Sequence, residues 1–213
     1  MRTLKVDSNA PAAAAVASAV EALRHGEVLA YLTDTMYGLG VDARQETAIA
    51  RLYALKQRAQ QKAMPLIVGS KELLSGWIKD FPPPAEKLAQ HFWPGPLTLI
   101  FHASATVSPR LTAGTDKIAM RVPNSMLARE LSLQLGAPIT STSANLSGDT
   151  AVLTVAEIIA QLGKVIDLIL DAGTILHSVP STIVDVTTMP PRIVRQGVVE
   201  QHALEKIIGA MLS

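Results

Sequence analysis

The 213-residue sequence contains no cysteine. That excludes disulfides, zinc–thiolate sites and thiol nucleophiles, and it fits a reducing cytosol. Charge is sparse: 17% of residues are Asp, Glu, Lys or Arg, and the net charge is +1. No global basic field can drive bulk nucleic-acid binding, so any basic site must be local. No apolar run approaches the length of a membrane span, and a cytoplasmic protein without membrane contact is expected. The sequence lacks a G-x-x-x-x-G-K-[ST] loop, a G-x-G-x-x-G fingerprint and a G-x-S-x-G elbow. Its five histidines, at 25, 91, 102, 177 and 202, are scattered without metal-ligand spacing, so no protein-held metal is expected.

What is present is a core-forming composition, 48% apolar. It predicts one domain over residues 1–213, with neither repeat nor linker. Arg2 and Lys5 precede an alanine-rich stretch that could mimic a signal peptide. The stretch reads better as a helix: Ser8 or Asn9 can cap it, Pro11 suits its first turn, and Gly26 follows its end.

Three cations, Lys56, Arg58 and Lys62, fall within seven residues, and no acid lies between Glu46 and Glu72. They close a helical pattern over about 46–57 and lead into an apolar strand at 65–69. Positions 49, 52, 53 and 56 share one helix face, which turns Lys56 toward the protein. A lysine there either snorkels or meets an anion. The ligand of such a run could be a nucleotide, a nucleic acid or water.

Strands are predicted at 28–32, 97–103, 117–122, 166–171, 181–187 and 192–195, and an apolar segment at 138–143 turns polar at its end. Helices are predicted near 70–78, 85–92, 125–135, 154–162 and 200–211, and 33–40 reads as a turn-rich loop. This mixture without regular βα alternation predicts an α/β (α+β) fold: a twisted mixed sheet flanked by helices.

Two polar clusters follow strand-like segments. Thr33-Asp34-Thr35 is either an ordinary turn or a substrate cradle at a strand's end. Ser141-Thr142-Ser143-Ala144-Asn145 is either a serine-rich capped loop or a set of uncharged donors that lets a ligand approach closely. Arg121 and Arg195 each end a strand, as solvated ion-pair partners or as grips on a carboxylate or phosphate. A site made of Lys, Arg, Ser, Thr and Asn suits binding and positioning of anions.

Seven segments in register give these residues a resemblance. They are Thr33-Asp34-Thr35-Met36-Tyr37-Gly38-Leu39-Gly40, Leu55-Lys56-Gln57-Arg58 with Pro65-Leu66, Trp93-Pro94-Gly95-Pro96-Leu97-Thr98, Met120-Arg121-Val122-Pro123, Ser143-Ala144-Asn145-Leu146-Ser147-Gly148, Ser181-Thr182-Ile183-Val184-Asp185 and Arg195-Gln196-Gly197. The sequence resembles the YrdC-like family of threonylcarbamoyl-AMP synthases, including the family's K-x-R and S-x-N pairs at Lys56/Arg58 and Ser143/Asn145.

The resemblance implies a YrdC-like fold with a concave ligand-binding surface. It implies an L-threonylcarbamoyladenylate synthase that turns ATP, L-threonine and bicarbonate (or CO2) into threonylcarbamoyl-AMP and pyrophosphate, for the t6A modification at tRNA position 37. By resemblance, Thr33, Arg121, Ser141 and Ser181 hold threonine, with Arg121 on its carboxylate. Lys56, Arg58, Lys62, Lys117, Ser143, Asn145 and Arg195 surround ATP, with backbone carrying some contacts at Ser141 and Lys117. Lys56, Arg58, Ser143 and Asn145 are the implied catalytic set, and Mg2+ rides mainly on the phosphates. The chain looks like the family's short form, so separate proteins would transfer the group to tRNA. The alternative is a noncatalytic maturation factor of the same fold that binds tRNA or double-stranded RNA. Two features depart from the family pattern. The Arg58–Pro65 stretch is longer than usual, and Gly69 stands where some long-form members carry a histidine near threonine.

Overall fold

The computed structural model describes residues 1–57, 59, 62–146, 152–163, 165–175 and 178–209. Arg58 lies outside the described residues, as do Ser147, Gly148 and His177.

In chain order the strands are β1 (Arg2–Lys5), β2 (Leu29–Leu32), β3 (Tyr37–Gly40), β4 (Leu66–Ile67), β5 (Leu97–His102), β6 (Lys117–Arg121), β7 (Ile139–Thr140), β8 (Thr142–Ser143), β9 (Leu168–Asp171), β10 (Thr182–Asp185) and β11 (Arg192–Arg195). The helices are α1 (Ala13–Arg24), α2 (Glu46–Leu55), α3 (Pro83–Phe92), α4 (Pro109–Thr112), α5 (Met126–Leu135), α6 (Val155–Leu162) and α7 (Gln201–Ile208).

The expected mixed α/β architecture is found, but as two sheets where one was anticipated. Their orders are β1-β9-β2-β3-β8 and β11-β10-β5-β6-β4-β7. Both mix parallel and antiparallel pairs: β2 runs parallel to β9 and antiparallel to β3, and β5 runs parallel to β10 and antiparallel to β6. The segment at 138–143 explains the division. It breaks at Ser141, with β7 pairing to β4 in the second sheet and β8 to β3 in the first. One serine thus sits where the chain crosses from sheet to sheet.

Apolar periodicity placed most elements, and their packing shows why. Ile49, Leu52 and Tyr53 of α2 are buried in one core with Leu39, Leu66, Leu99 and Phe101. A second core joins α1 and α5 through Val16, Val20, Leu23, Leu127 and Leu131 over Leu29, Tyr31 and Leu168. Full burial of each such Leu or Ile contributes about 1.5–3 kcal/mol. Capping fixes several ends: Ser125 Oγ accepts from Ala128 N at the start of α5, and Thr154 and Glu157 form a capping box on α6.

Three local expectations are corrected, and one strand was not anticipated. Helix α1 starts at Ala13 behind Ala12, which makes no side-chain cap; the preceding turn is closed instead by Asp7 Oδ1, which accepts from Asn9 N and Ala10 N. The predicted helix at 70–78 is a single 3-10 turn at Lys71–Leu74. The N-terminal Arg2–Lys5 is an edge strand parallel to β9, too short and exposed to show an apolar pattern.

The third correction concerns the expected loop at 33–40, whose second half is strand β3. Its glycines read as turn residues, yet Gly40 is there for close approach. A Cβ on Gly40 would meet Ile139 Cγ2 and Tyr31 Cε1, each at 2.6 Å.

Candidate active site

A cleft of about 340 Å3 opens between the two sheets, where β3 and β8 face β4, β5, β6 and β10. It gathers Thr33, Arg121, Ser141, Ser143, Asn145, Ser181 and Arg195, seven of the residues singled out in the sequence. A larger hollow of about 570 Å3 lies elsewhere, walled by Pro82, Pro83, Pro84, Pro190 and Pro191, and contains none of them.

Register explains the gathering. Ile67 of β4 is paired with Arg121 of β6, Ile183 of β10 with Thr98 of β5, and Ile183 again with Arg195 of β11. Residues at the same level of adjacent strands therefore reach one opening. Arg195 donates from Nε and Nη2 to the Ser181 carbonyl at 3.2 and 2.8 Å, and from Nη2 to Ser181 Oγ at 3.2 Å. Ser181 Oγ also shares a 2.8 Å hydrogen bond with the buried Thr98 hydroxyl. Burial lowers the Arg195 guanidinium from its ordinary value.

Opposite, the turn before β3 holds itself together. Thr33 Oγ1 donates to the Met36 carbonyl at 2.8 Å and accepts from the backbone of Thr35 and Met36. Arg121 is 6% exposed. Its Nη1 donates to Thr35 Oγ1 at 3.1 Å and its Nη2 to Asp34 Oδ1. Burial brings the Arg121 guanidinium down to about 10, against a lift from the Tyr31 phenol and with a further lowering by Arg195. It is still charged at neutral pH. Among the described residues, two buried groups of the cleft, Arg121 Nε and Ser178 Oγ, have no hydrogen-bond partner. Such groups are rare in folded proteins and point to a ligand that supplies the partner.

Lys56 is where helical phase put it, facing inward at 1% exposure. It is the C-cap of α2, and Gln57 at φ 48° turns the chain away after it. Its ammonium lies beneath the β8 loop and donates to the carbonyls of Ser143, at 2.6 Å, and Asn145, and to Asn145 Oδ1 at 3.3 Å. Lys56 therefore braces the loop whose Ser143 and Asn145 line the cleft and adds a positive charge below it.

Other expected residues lie elsewhere. Lys62 is exposed and not part of the cleft wall; its carbonyl accepts from the Tyr53 hydroxyl at 2.9 Å. Lys117 starts β6, four residues or about 13 Å from Arg121 at ordinary strand rise. Its ammonium pairs with Asp185 at 2.9 Å, outside the cleft wall. Gly69 packs against α5, and a Cβ there would stand 2.4 Å from Leu133 Cγ and 2.5 Å from the Arg129 carbonyl. A side chain there would require Leu133 and the α5 backbone to shift.

Sequence reasoning named Thr35 only as part of the Thr33-Asp34-Thr35 cluster and passed over Thr98 and Ser178 as site residues. Thr35 and Thr98 lay inside the matched segments, and only the strand register brings Thr98 beside Ser181. Nothing in the sequence singled out Ser178.

Comparison with known proteins follows the same segments. Residues 21–197 match the Sua5/YciO/YrdC family model, which carries the description "Telomere recombination". The chain is 39% identical over 181 residues to a threonylcarbamoyl-AMP synthase of Vibrio cholerae, covering 84% of this chain and 95% of that one. It is 35% identical over 187 residues to one of Pyrococcus abyssi, covering 88% of this chain but spanning 55% of the relative's length. The crystal structure of P. abyssi Sua5 complexed with L-threonine matches with a TM-score of 0.94 at 32% identity, over all of this chain and 62% of that one. Since the match takes in the strands and turns that build the cleft, the chain belongs to the Sua5/YciO/YrdC family.

Proposed function

We propose that this chain is an L-threonylcarbamoyladenylate synthase, a nucleotidyltransferase that converts L-threonine, bicarbonate (or CO2) and MgATP into threonylcarbamoyl-AMP and pyrophosphate. The observation that carries this reading is the cleft. A buried arginine whose Nε has no partner among the described residues shares the cleft with a second arginine and several hydroxyls, beside a loop braced by a buried lysine. The names of relatives at 35–39% identity support the same reading.

The roles follow from charge and position. Arg121 takes the carboxylate of threonine, with Thr33, Ser141 and Ser181 around the rest of the amino acid. Arg195, Ser143 and Asn145 face the nucleotide, and Lys56 adds its charge from below. Arg58 and Lys62 join them by sequence position alone. Addition of the amine to CO2 gives a carbamate, whose oxygen attacks the α-phosphorus and displaces pyrophosphate. Both reactants are anions. Fixed cations offset their repulsion and the charge that grows in the transition state, and alignment of the carbamate oxygen with the phosphorus supplies much of the remaining acceleration. The described residues contain no cluster of three or more His, Asp or Glu side chains able to hold a metal. Mg2+ would arrive on the phosphates as part of the substrate.

The product is a mixed anhydride, activated for transfer to tRNA. No helix among the described residues is long and apolar enough to cross a membrane. The RNA-binding alternative has no comparable feature behind it, and a net charge of +1 gives it little electrostatic drive.

Pyrophosphate release tests the proposal. It should need ATP, L-threonine and bicarbonate together. ATP turnover indifferent to threonine overturns the reading, and steeply salt-dependent RNA binding without threonine-dependent chemistry favours the alternative.

A further inference from the structure

Thr98 stands behind Ser181 in the second sheet. It lies on β5, which runs parallel to β10 with Leu97 opposite Thr182, and this register brings its hydroxyl to 2.8 Å from Ser181 Oγ. Both residues border the cleft, and both are buried, at 2% and 6% exposure. Arg195 is the other neighbour: its Nη2 donates to Ser181 Oγ at 3.2 Å. Among the described residues the Thr98 hydroxyl has no partner besides Ser181 Oγ, and Ser181 Oγ has none besides Thr98 and Arg195.

A count of protons gives this small network a direction. A hydroxyl has one proton to donate and two lone pairs that accept. Arginine has donors only, so Arg195 occupies one lone pair of Ser181. The contact with Thr98 can run either way. If Ser181 donates, the Thr98 proton is left buried without an acceptor, which is the costly kind of unmade hydrogen bond. If Thr98 donates, every group inside the wall is satisfied and both lone pairs of Ser181 are used. What remains is the Ser181 proton, and the direction open to it is the cleft. Two donors behind it polarise the Ser181 hydroxyl and make it a stronger donor in turn.

We propose that Thr98 is a positioning residue that fixes Ser181 as a hydrogen-bond donor, so that this wall of the cleft takes an acceptor oxygen of the substrate (carboxylate, carbamate or phosphate) and turns away an ammonium or an amide N–H. Thr98 acts through Ser181 and touches no reacting atom. By the same count Ser181 has no lone pair left with which to remove a proton, so it binds and does not serve as a base. Placing the acceptor oxygen on L-threonine or its carbamate rests on the function proposed above; the direction of the hydrogen bond does not.

Neutron diffraction from deuterium-exchanged crystals of the ligand-free wild type reads that direction itself and needs no variant to fold. Deuterium on Thr98 Oγ1 pointing at Ser181 is the expected result; deuterium on Ser181 Oγ pointing at Thr98 overturns the proposal. Titration calorimetry with L-threonine tests the consequence. Thr98→Val keeps a strand-forming side chain of the same shape without the hydroxyl, and affinity should fall about tenfold. Thr98→Ser restores the donor and should stay within about twofold of the wild type. In Thr98→Val/Ser181→Ala the loss should equal that of Ser181→Ala alone, because Thr98 then has nothing to orient. Additive losses mean that Thr98 supports the wall independently of Ser181, and unchanged affinity in Thr98→Val means that Ser181 needs no orienting; each result overturns the proposal. A wild type that binds no threonine, with deuterium found on Thr98 as expected, defeats the proposed function and leaves the assignment of the donor standing.

Discussion

The ammonium of Lys56 lies beneath Asn145, donating to its carbonyl and, at 3.3 Å, to its side-chain oxygen. The two residues are far apart in sequence and meet because α2 packs under the β8 loop. A cation of the K-x-R pair thus holds the S-x-N pair in place. Lys56→Met keeps the apolar stem and removes the donor from the carbonyls of Ser143 and Asn145. Loss of a buried charged hydrogen-bond partner should lower stability by about 1–3 kcal/mol. Urea denaturation should show the lower midpoint, and threonine-dependent pyrophosphate release should fall at least tenfold, since the loop and its charge are both disturbed.

Arg58→Ala acts differently. By its place in the sequence motif Arg58 serves the nucleotide, so adenylate synthesis should fall to a small residue while the chain still folds, as a cooperative thermal transition would show. Near-normal synthesis in this variant contradicts the assignment of the cation run to ATP.

Gly40→Ala tests the crossing of the two sheets. The added methyl meets Ile139 and Tyr31 at 2.6 Å, and neither is free to retreat, both being fully buried. Overpacking of this kind costs about 1–3 kcal/mol. The shift of β3 also moves the Thr33–Met36 turn, so threonine affinity measured by calorimetry should weaken together with the denaturation midpoint.

Asp167 supplies a pH-dependent prediction remote from the cleft. Burial raises its carboxyl, but the hydrogen bond from Arg51 and that from Val28 N outweigh this and leave it below its ordinary value. A carboxylate with a depressed folded pKa stabilises the fold above its unfolded value, about 3.9, and loses that contribution as pH falls through the folded one. Asp167→Asn should therefore cost about 1 kcal/mol at pH 7, a modest figure because Arg51 is half exposed. The gap between variant and wild type should close as pH falls below 4. Denaturation curves at pH 7 and pH 3 measure it, and a gap of equal size at both values contradicts the charge assignment.

Much of the architecture was legible because burial imposes a period. The α2 stripe placed Lys56 inward from spacing alone, and the helices expected near 125–135 and 154–162 are found as α5 and α6. The reading failed where the period was too short to register or the signal had another cause. Strand β1 has four mostly exposed residues, and Gly38 and Gly40 look like turn residues until the strand packed against them is seen. In the site, Thr33, Arg121, Ser141, Ser143, Asn145, Ser181 and Arg195 came together as expected, whereas Lys117 did not, because residues on one strand can lie at opposite ends of it.

By itself the sequence determined the chemical inventory: no thiols, little net charge, and a set of cations, hydroxyls and one amide suited to anions. It also determined which helix faces are buried, since side-chain direction follows from local geometry. Only the tertiary structure decided which cation meets which oxygen. Lys56 holds a loop, Arg121 is paired with Asp34, and Lys117 is committed to Asp185. The physical reason is that these pairs are set by strand register and by the crossing at Ser141, contacts between distant parts of the chain that no local pattern encodes.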